Sequence, residues 1–373
     1  MAGTLAKDIF EGGPSPAPPK KFGYGTAGFR DKAELLDVVM FRVGVLAALR
    51  ARHTGKIVGV MVTASHNGGA DNGAKIVDPD GGMLASDWEN LAAELANCGD
   101  VASVESVLSH ISLPDSDAPG LVVLGRDTRV SSPHLATLVA SGVATVRGEV
   151  HDLGIVTTPQ VHWAVLRANQ QVPAVIPALT SYYDEHVAAL HAVFAAGNSA
   201  RISVTVDCAN GVGAKSLLAM QAALKAKGVP LDLTAFNAGT QFTRFTVTKV
   251  QILALYVSSY YYICVTGGLE QGDNNADAEF LNAGCGAEFV QKTKDVPRAY
   301  AAALAAAGGA SAGGIEGQLW ASFDGDADRV VLFFSGVLSL SLSLNLSLSL
   351  SFCVCLSLIA WCFSQVSCIR ICI

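Results

Sequence analysis

The feature that most restricts what this chain can fold into is a recurring unit: a short apolar run, a polar loop bearing glycine, then a helical period. Lys56–Thr63 (KIVGVMVT) has the length and branched side chains of a strand and enters the loop Ala64-Ser65-His66-Asn67-Gly68-Gly69. Gly120–Gly125 (GLVVLG) repeats the pattern and opens onto Arg126-Asp127-Thr128-Arg129. Ser131 or Ser132 then offers an N-cap, Pro133 suits the first turn, and Leu135, Leu138, Val139 and Val143 fall on one helical face. Val150–Val156 and Pro159–Ala168 give a further strand and helix. A second block begins near Tyr182, whose helix carries Val187, Leu190 and Phe194. It continues with the strand Arg201–Val206, the turn Asp207-Cys208-Ala209-Asn210-Gly211-Val212-Gly213 and a helix reaching Lys225. That turn admits two readings, an anion site at a helix start or a close strand-to-helix connection. Leu319–Phe323 and Val330–Phe334 are the last strands, joined by Asp324-Gly325-Asp326-Ala327-Asp328-Arg329. Such alternation predicts an α/β protein of layered sheets and helices.

Length sets how many layers there are. At ~150 residues per domain, 373 residues hold two or three domains. The expectation is two consecutive α/β/α domains, residues 1–175 and 176–334, and a tail of different character, 335–373. Charged residues make up 15% of the chain against ~25% in a typical globular domain, and the deficit is local. No Asp, Glu, Lys or Arg lies between Arg329 and Arg370, serine and leucine alternate through Ser339–Ser351, and five of the nine cysteines follow. The tract is long enough to cross a bilayer, yet serine at every second place argues against a membrane helix. It reads as low-complexity sequence without a chemical role. Residues 241–277, rich in threonine and tyrosine and containing Tyr260-Tyr261-Tyr262, interrupt the second block and read as an insertion.

Composition also excludes function classes. With 25 Lys plus Arg against 32 Asp plus Glu, the net charge of −7 provides no field for nucleic acid or an anionic membrane. Cys98, Cys208, Cys264 and Cys285 follow no repeated spacing, as free thiols of a reducing compartment would. Met1–Arg30 lacks an apolar core and carries Pro14, Pro16, Pro18 and Pro19, so no secretory signal is expected and a cytoplasmic protein is. Oligomeric state is not legible.

Two loops carry candidate chemistry. Asp324, Asp326 and Asp328 place three carboxylates at alternate positions around Gly325, and hard oxygen ligands suit Mg²⁺ or Ca²⁺. The EF-hand pattern fails twice, because Arg329 and Ser335 stand where it needs glycine and glutamate. A non-binding acidic turn is the plainer alternative. Ser65 ends a strand with His66 and Asn67 beside it and Lys75 ten residues on. The nucleophile elbow of α/β hydrolases needs glycines where Thr63 and Asn67 stand, so acyl transfer is poorly supported. A serine holding a phosphoryl group would need a metal, cations and an acid or base, and this chain has all three.

Four segments together resemble the α-D-phosphohexomutases: Gly25-Thr26-Ala27-Gly28-Phe29-Arg30, Thr63-Ala64-Ser65-His66-Asn67, Gly125-Arg126-Asp127-Thr128-Arg129 and Asp324-Gly325-Asp326-Ala327-Asp328-Arg329. The Gly-Arg-Asp segment follows the serine loop instead of preceding it. That order, with Asp71-Asn72-Gly73-Ala74-Lys75 and the Asp207–Gly213 turn, is similar to the phosphoacetylglucosamine mutase branch. The resemblance implies Ser65 as phosphoserine, with Mg²⁺ held by its phosphate and by Asp324, Asp326 and Asp328. It implies Arg30, Lys75 and Arg329 around the transferred phosphate, His66 and Lys75 for proton handling, and Asn67, Arg126 and Arg129 for phosphate or substrate. His66 also has the plain reading of a loop histidine satisfied by its neighbours. The implied reaction converts N-acetylglucosamine 6-phosphate to the 1-phosphate through a sugar 1,6-bisphosphate that also serves as activator. A mutase for another hexose phosphate, and a non-catalytic fragment that binds Mg²⁺ and phosphosugar, remain alternatives.

The chain departs from the family in three places. Gly68 replaces the proline usual after Ser-His-Asn, residues 241–277 stand where the family has a short connection, and the third and fourth domains, with their sugar-binding and phosphate-gripping loops, are not seen after Phe334. Lost remote contacts would be expected to lower rate as well as affinity. Residues 241–277 and the tail begin abruptly and lack folding signals, as translated intron would. Transcripts read across the codons for Gly239–Leu281 and beyond Phe334 are expected to be spliced there; transcripts encoding the chain as it stands would overturn this.

Overall fold

A computed structural model of the chain describes residues 2–14, 17–25, 28–115, 118–196, 201–239, 280–293, 296–298, 318–335 and 370–371. The inserted stretch 241–277, nearly all of the 335–373 tail, and Thr26 and Ala27 lie outside the described residues. The chain divides into two compact units, Met1–His186 with Asp326–Asp328, and Val187–Gly325 with Arg329–Ile373. Among the described residues no helix is long and apolar enough to cross a membrane.

The first unit opens with helix α1 (Ala2–Glu11), strand β1 (Phe29–Lys32) and helix α2 (Asp37–Thr54). The hairpin β2 (Val58–Val62) and β3 (Asp71–Val77) follows, then α3 (Ser86–Ala96), α4 (Val101–Ser109), β4 (Leu121–Arg126), α5 (Ser132–Thr145), β5 (Glu149–Ile155), α6 (Thr158–Asn169) and α7 (Leu179–Ala196). Its sheet has the order β1-β3-β2-β4-β5. β2 runs antiparallel to β3 and parallel to β4, and β4 is parallel to β5. Helices cover both faces. Val58, Val60 and Val62 pack into the core shared with α2 and α5, whereas a Cβ on Gly59 would meet Val161 and Val165 of α6. Neighbouring residues of one strand point to opposite faces, so α6 lies across the sheet from α2 and α5.

The second unit contains β6 (Ile202–Asp207), α8 (Gly213–Ala226), β7 (Leu231–Phe236), α9 (Gly286–Thr293), β8 (Gln318–Phe323), β9 (Val330–Ser335) and the short β10 (Arg370–Ile371). Its order is β10-β9-β8-β6-β7. β6 is parallel to β7 and β8, and β9 returns antiparallel to β8. The two sheets therefore share a motif, two parallel strands beside an antiparallel hairpin, although the hairpin comes first in one unit and last in the other. Each hairpin's connecting loop is one of the two singled out in the sequence, residues 63–70 and 324–329.

The strands and helices expected from the apolar runs all form, with ends shifted by at most three residues. The expected hydroxyl cap of α5 does not. Ser131 makes no capping bond, and both hydroxyls are engaged elsewhere, Ser131 and Ser132 accepting from Asn72 Nδ2 at 2.8 and 3.0 Å. β3 escaped the sequence reading because Asp71-Asn72-Gly73 is turn-like, yet every residue from Asn72 to Val77 is buried.

α2 is buried nearly all round, since it is covered by the sheet, α3 and α5. It meets α5 through a reciprocal pair of glycines. A Cβ on Gly44 would stand 2.0 Å from Val139 O, and one on Gly142 would stand 1.9 Å from Phe41 O. Only residues without a Cβ let the two backbones come this close. In a free helix Gly→Ala gains about 1 kcal/mol. Here Gly44→Ala is expected to lower the unfolding free energy by about 1–3 kcal/mol in denaturant titrations, and an unchanged or raised midpoint would show that the helices tolerate more separation.

Candidate active site

The serine loop is built on strand ends. β2 delivers Thr63, and register sets Val62 opposite Arg126 of β4 and Ala74 of β3, so the loop starts between the Arg126–Arg129 segment and β3. Ser65 is 1% exposed and has a φ of 53°, the left-handed region that a non-glycine residue enters only when its surroundings compel it. The compulsion comes from a buried cluster beneath. The Ser65 N–H donates to Thr63 Oγ1 at 2.9 Å, and Thr63 Oγ1 donates to Asp127 Oδ2 at 2.8 Å. Ser132 Oγ donates to Asp127 Oδ1 at 2.7 Å, and Arg129 pairs with Asp127 Oδ2. Arg129 Nη2 then donates to the carbonyls of Ser65 at 3.1 Å and Asn67 at 2.8 Å.

Arg129, expected to bind phosphate or substrate, is instead buried and engaged in holding the loop backbone. Asn67 is also engaged, its amide donating to Asp71 Oδ2 at 3.0 Å, and Arg126 donates to Asp152 across β4 and β5 at 3.2 Å. Arg30, on β1, lies 3.4 Å through Nη1 from His66 Nδ1. A guanidinium only donates, so this contact leaves His66 Nδ1 as the acceptor nitrogen.

The acidic loop supplies the other half. Asp324, Asp326 and Asp328 each bring an oxygen within 4.8 Å of the others'. Lys75, buried on β3, sets its ammonium 2.8 Å from Asp326 Oδ2 and 2.5 Å from Asp328 Oδ2. Burial alone would push the Lys75 pKa down, but the two carboxylates outweigh it and raise it, while burial pulls Asp326 upward and Lys75 overrides it downward. Lys75 is thus a held cation. Ser65 Oγ lies 3.5 Å from Asp328 Oδ1, which brings serine, lysine and acids together. Arg329 folds back on its own loop, Nε to Asp324 Oδ2 at 2.9 Å, and reaches Glu288 at 3.4 Å.

The loop suits a divalent cation by its donor set, since all three acids offer hard oxygens. A second observation agrees: Asp326 Oδ1 is buried and has no hydrogen-bond partner among the described residues. Such an oxygen is costly unless a cation meets it. The anion reading of the Asp207–Gly213 turn finds no support. The N–H groups of Ala209, Asn210, Gly211 and Val212 all donate within the protein, the last to Gly325 O at 3.1 Å. Gly211 is needed there because a Cβ would lie 2.4 Å from Gly325 O. Buried Asp207 ties the turn to Asn237, Gly286 and Ser322, and burial raises its pKa.

Sequence reasoning missed Asp127 and Asn72 as supports of the serine loop, and Thr158 beside the acids. The signal for Thr158 was a second threonine next to the Thr157/Gln160 capping box, whose own partners are already supplied.

Arg129→Met would leave Asp127 charged and unpaired in the interior. It is expected to cost about 3–5 kcal/mol of stability, read by chemical denaturation; a loss under about 1 kcal/mol, the range of a surface pair, would show that the clamp does not hold the loop.

Residues 37–101 and 100–179 match the family described as phosphoglucomutase/phosphomannomutase, alpha/beta/alpha domain I. The chain is 36% identical over 322 residues to phosphoacetylglucosamine mutase 1 of Schizosaccharomyces pombe, covering 84% of this chain and 53% of that protein. An N-acetylglucosamine-phosphate mutase in a product complex, a member of the alpha-D-phosphohexomutase superfamily, matches with TM-score 0.68 and 30% identity over 90% of this chain and 54% of that one. The Aspergillus fumigatus N-acetylphosphoglucosamine mutase in complex with GlcNAc-6P and magnesium matches with TM-score 0.68 and 31% identity, covering 88% and 53%. A structure of a serine-to-alanine variant of that enzyme with glucose 1,6-bisphosphate has TM-score 0.69 at 31% identity, covering 89% and 53%. The chain spans about half the length of these relatives.

Proposed function

The chain is a homologue of the phosphoacetylglucosamine mutases, within the α-D-phosphohexomutase superfamily, and from that premise we propose that it interconverts N-acetylglucosamine 6-phosphate and N-acetylglucosamine 1-phosphate. The observation that carries this reading is the meeting of Ser65, Lys75, Asp326 and Asp328, in which Ser65 Oγ lies 3.5 Å from Asp328 and Lys75 lies between the two acids. A phosphorylated Ser65 adds roughly −1.5 to −2 charge beside two carboxylates and one ammonium, so this cluster would receive it with a divalent cation bound among the acids.

Phosphoryl transfer breaks the bond between Ser65 Oγ and phosphorus and forms one from phosphorus to the free sugar hydroxyl. The proton of that hydroxyl passes to His66, whose Nδ1 gives up the Arg30 contact to receive it, and the ammonium of Lys75 delivers one to the Ser65 oxygen. The resulting 1,6-bisphosphate turns over, its other phosphate returns to Ser65 by the reverse steps, and the isomeric monophosphate leaves. Arg30, beside His66, contributes positive charge to the serine loop, while Arg129 holds the Ser65 and Asn67 carbonyls from beneath. Asp324, Asp326 and Asp328, with the phosphate on Ser65, would hold Mg²⁺, which when bound screens the phosphoryl charge. The A. fumigatus enzyme's complexes with GlcNAc-6P and magnesium and with glucose 1,6-bisphosphate support this ligand set. In domain terms, residues 1–175 would supply the phosphoserine loop and 176–334 the metal loop.

The test uses the 373-residue chain with N-acetylglucosamine 6-phosphate, Mg²⁺ and a trace of glucose 1,6-bisphosphate. Turnover is expected to disappear on chelation and to fall by about 10³-fold or more in Ser65→Ala. Competition by glucose 6-phosphate and mannose 6-phosphate decides the sugar. Cation and bisphosphate binding without turnover would replace the enzyme reading with that of a binding fragment.

A further inference from the structure

The acidic loop's geometry depends on a residue with no role in the scheme above. We infer that Thr158, in the first turn of α6, is a positioning residue that decides which oxygen of Asp326 is presented to the cation. The inference rests on the reading of Asp324–Asp328 as a cation site.

Thr158 is free for this task because its neighbours cap the helix. Thr157 accepts from the Gln160 N–H, and Gln160 Oε1 accepts from the Thr157 N–H at 2.9 Å. Thr158 then grips Asp326 at two points. Its hydroxyl donates to Asp326 Oδ2 at 2.7 Å, and its N–H donates to the Asp326 carbonyl at 3.0 Å. Lys75 Nζ supplies a second donor to the same Oδ2 at 2.8 Å. One carboxylate oxygen is thereby engaged twice, and the other, Oδ1, is left buried without a partner among the described residues.

The asymmetry is the point. A carboxylate held by one donor can swivel about its Cβ–Cγ bond and exchange its oxygens, whereas two donors from different elements on one oxygen fix the plane. Fixing the plane keeps Oδ1 desolvated and aimed, so that its lone pairs are available without reorganisation when a cation arrives. Partners of this kind typically change metal affinity 10–100-fold when removed. The N–H contact survives any substitution of the side chain, so replacing Thr158 tests the hydroxyl alone.

The experiment is a direct titration of the 373-residue chain with Mn²⁺ followed by electron paramagnetic resonance, and with Mg²⁺ by calorimetry, with folding checked by circular dichroism. Thr158→Val and Thr158→Ala are expected to bind about tenfold or more weakly, and Thr158→Ser, which keeps the hydroxyl, to bind as the parent does. Val and Ala differ in bulk, so whichever folds supplies the readout. Undiminished affinity in a folded Val or Ala variant overturns the inference alone. So does Thr158→Ser weakened as much as Val, because packing would then be the cause. A parent chain that binds neither ion overturns the cation-site reading and this inference with it.

Discussion

An ammonium group buried between two carboxylates is the condition on which the first unit depends. Lys75 lies in the middle of β3, whose residues from Asn72 to Val77 are all buried. A lysine so placed is tolerated only if counter-charges accompany it into the interior. Both counter-charges come from residues that compact with Met1–His186 although they stand far along the chain, Asp326 and Asp328. Asp326–Asp328 are thus part of the first unit's interior.

The support beneath Ser65 follows a similar rule. Asp127 accepts from Thr63, Ser132 and the Arg129 N–H, and Arg129 holds two carbonyls of the loop. A serine in a left-handed conformation keeps its place because the chain on either side is anchored to buried charge. The Gly-Arg-Asp-Thr-Arg segment resembled a substrate-binding motif in the sequence, and most of its side-chain chemistry is directed inward.

What the sequence made legible was whatever leaves a periodic or compositional trace. Strands such as Val58–Val62 and Ile202–Asp207 are bounded apolar runs, and Asp324-Gly325-Asp326-Ala327-Asp328 carries its convergence in its spacing. β3 left no such trace, because Asp71-Asn72-Gly73 has the composition of a turn and its burial is repaid by distant partners. Thr158 was invisible for the same reason: a threonine before a proline reads as a helix start, and only the arrival of Asp326 gives it a second use. Ser131 and Ser132 were placed correctly beside α5 but assigned the wrong partner, since Asn72 and Asp127 compete for hydroxyls that an isolated helix would use as a cap.

The separation between Lys75 and its acids has a consequence for the ribosome. Lys75 precedes Asp326 by 251 residues. At about 5–20 residues per second of translation, roughly 12–50 s pass between synthesis of the lysine and synthesis of the first carboxylate that neutralises it. During that interval the Lys75 ammonium either stays hydrated or borrows another partner. The final burial of the serine loop is therefore a late event of synthesis, although its residues are among the first to emerge.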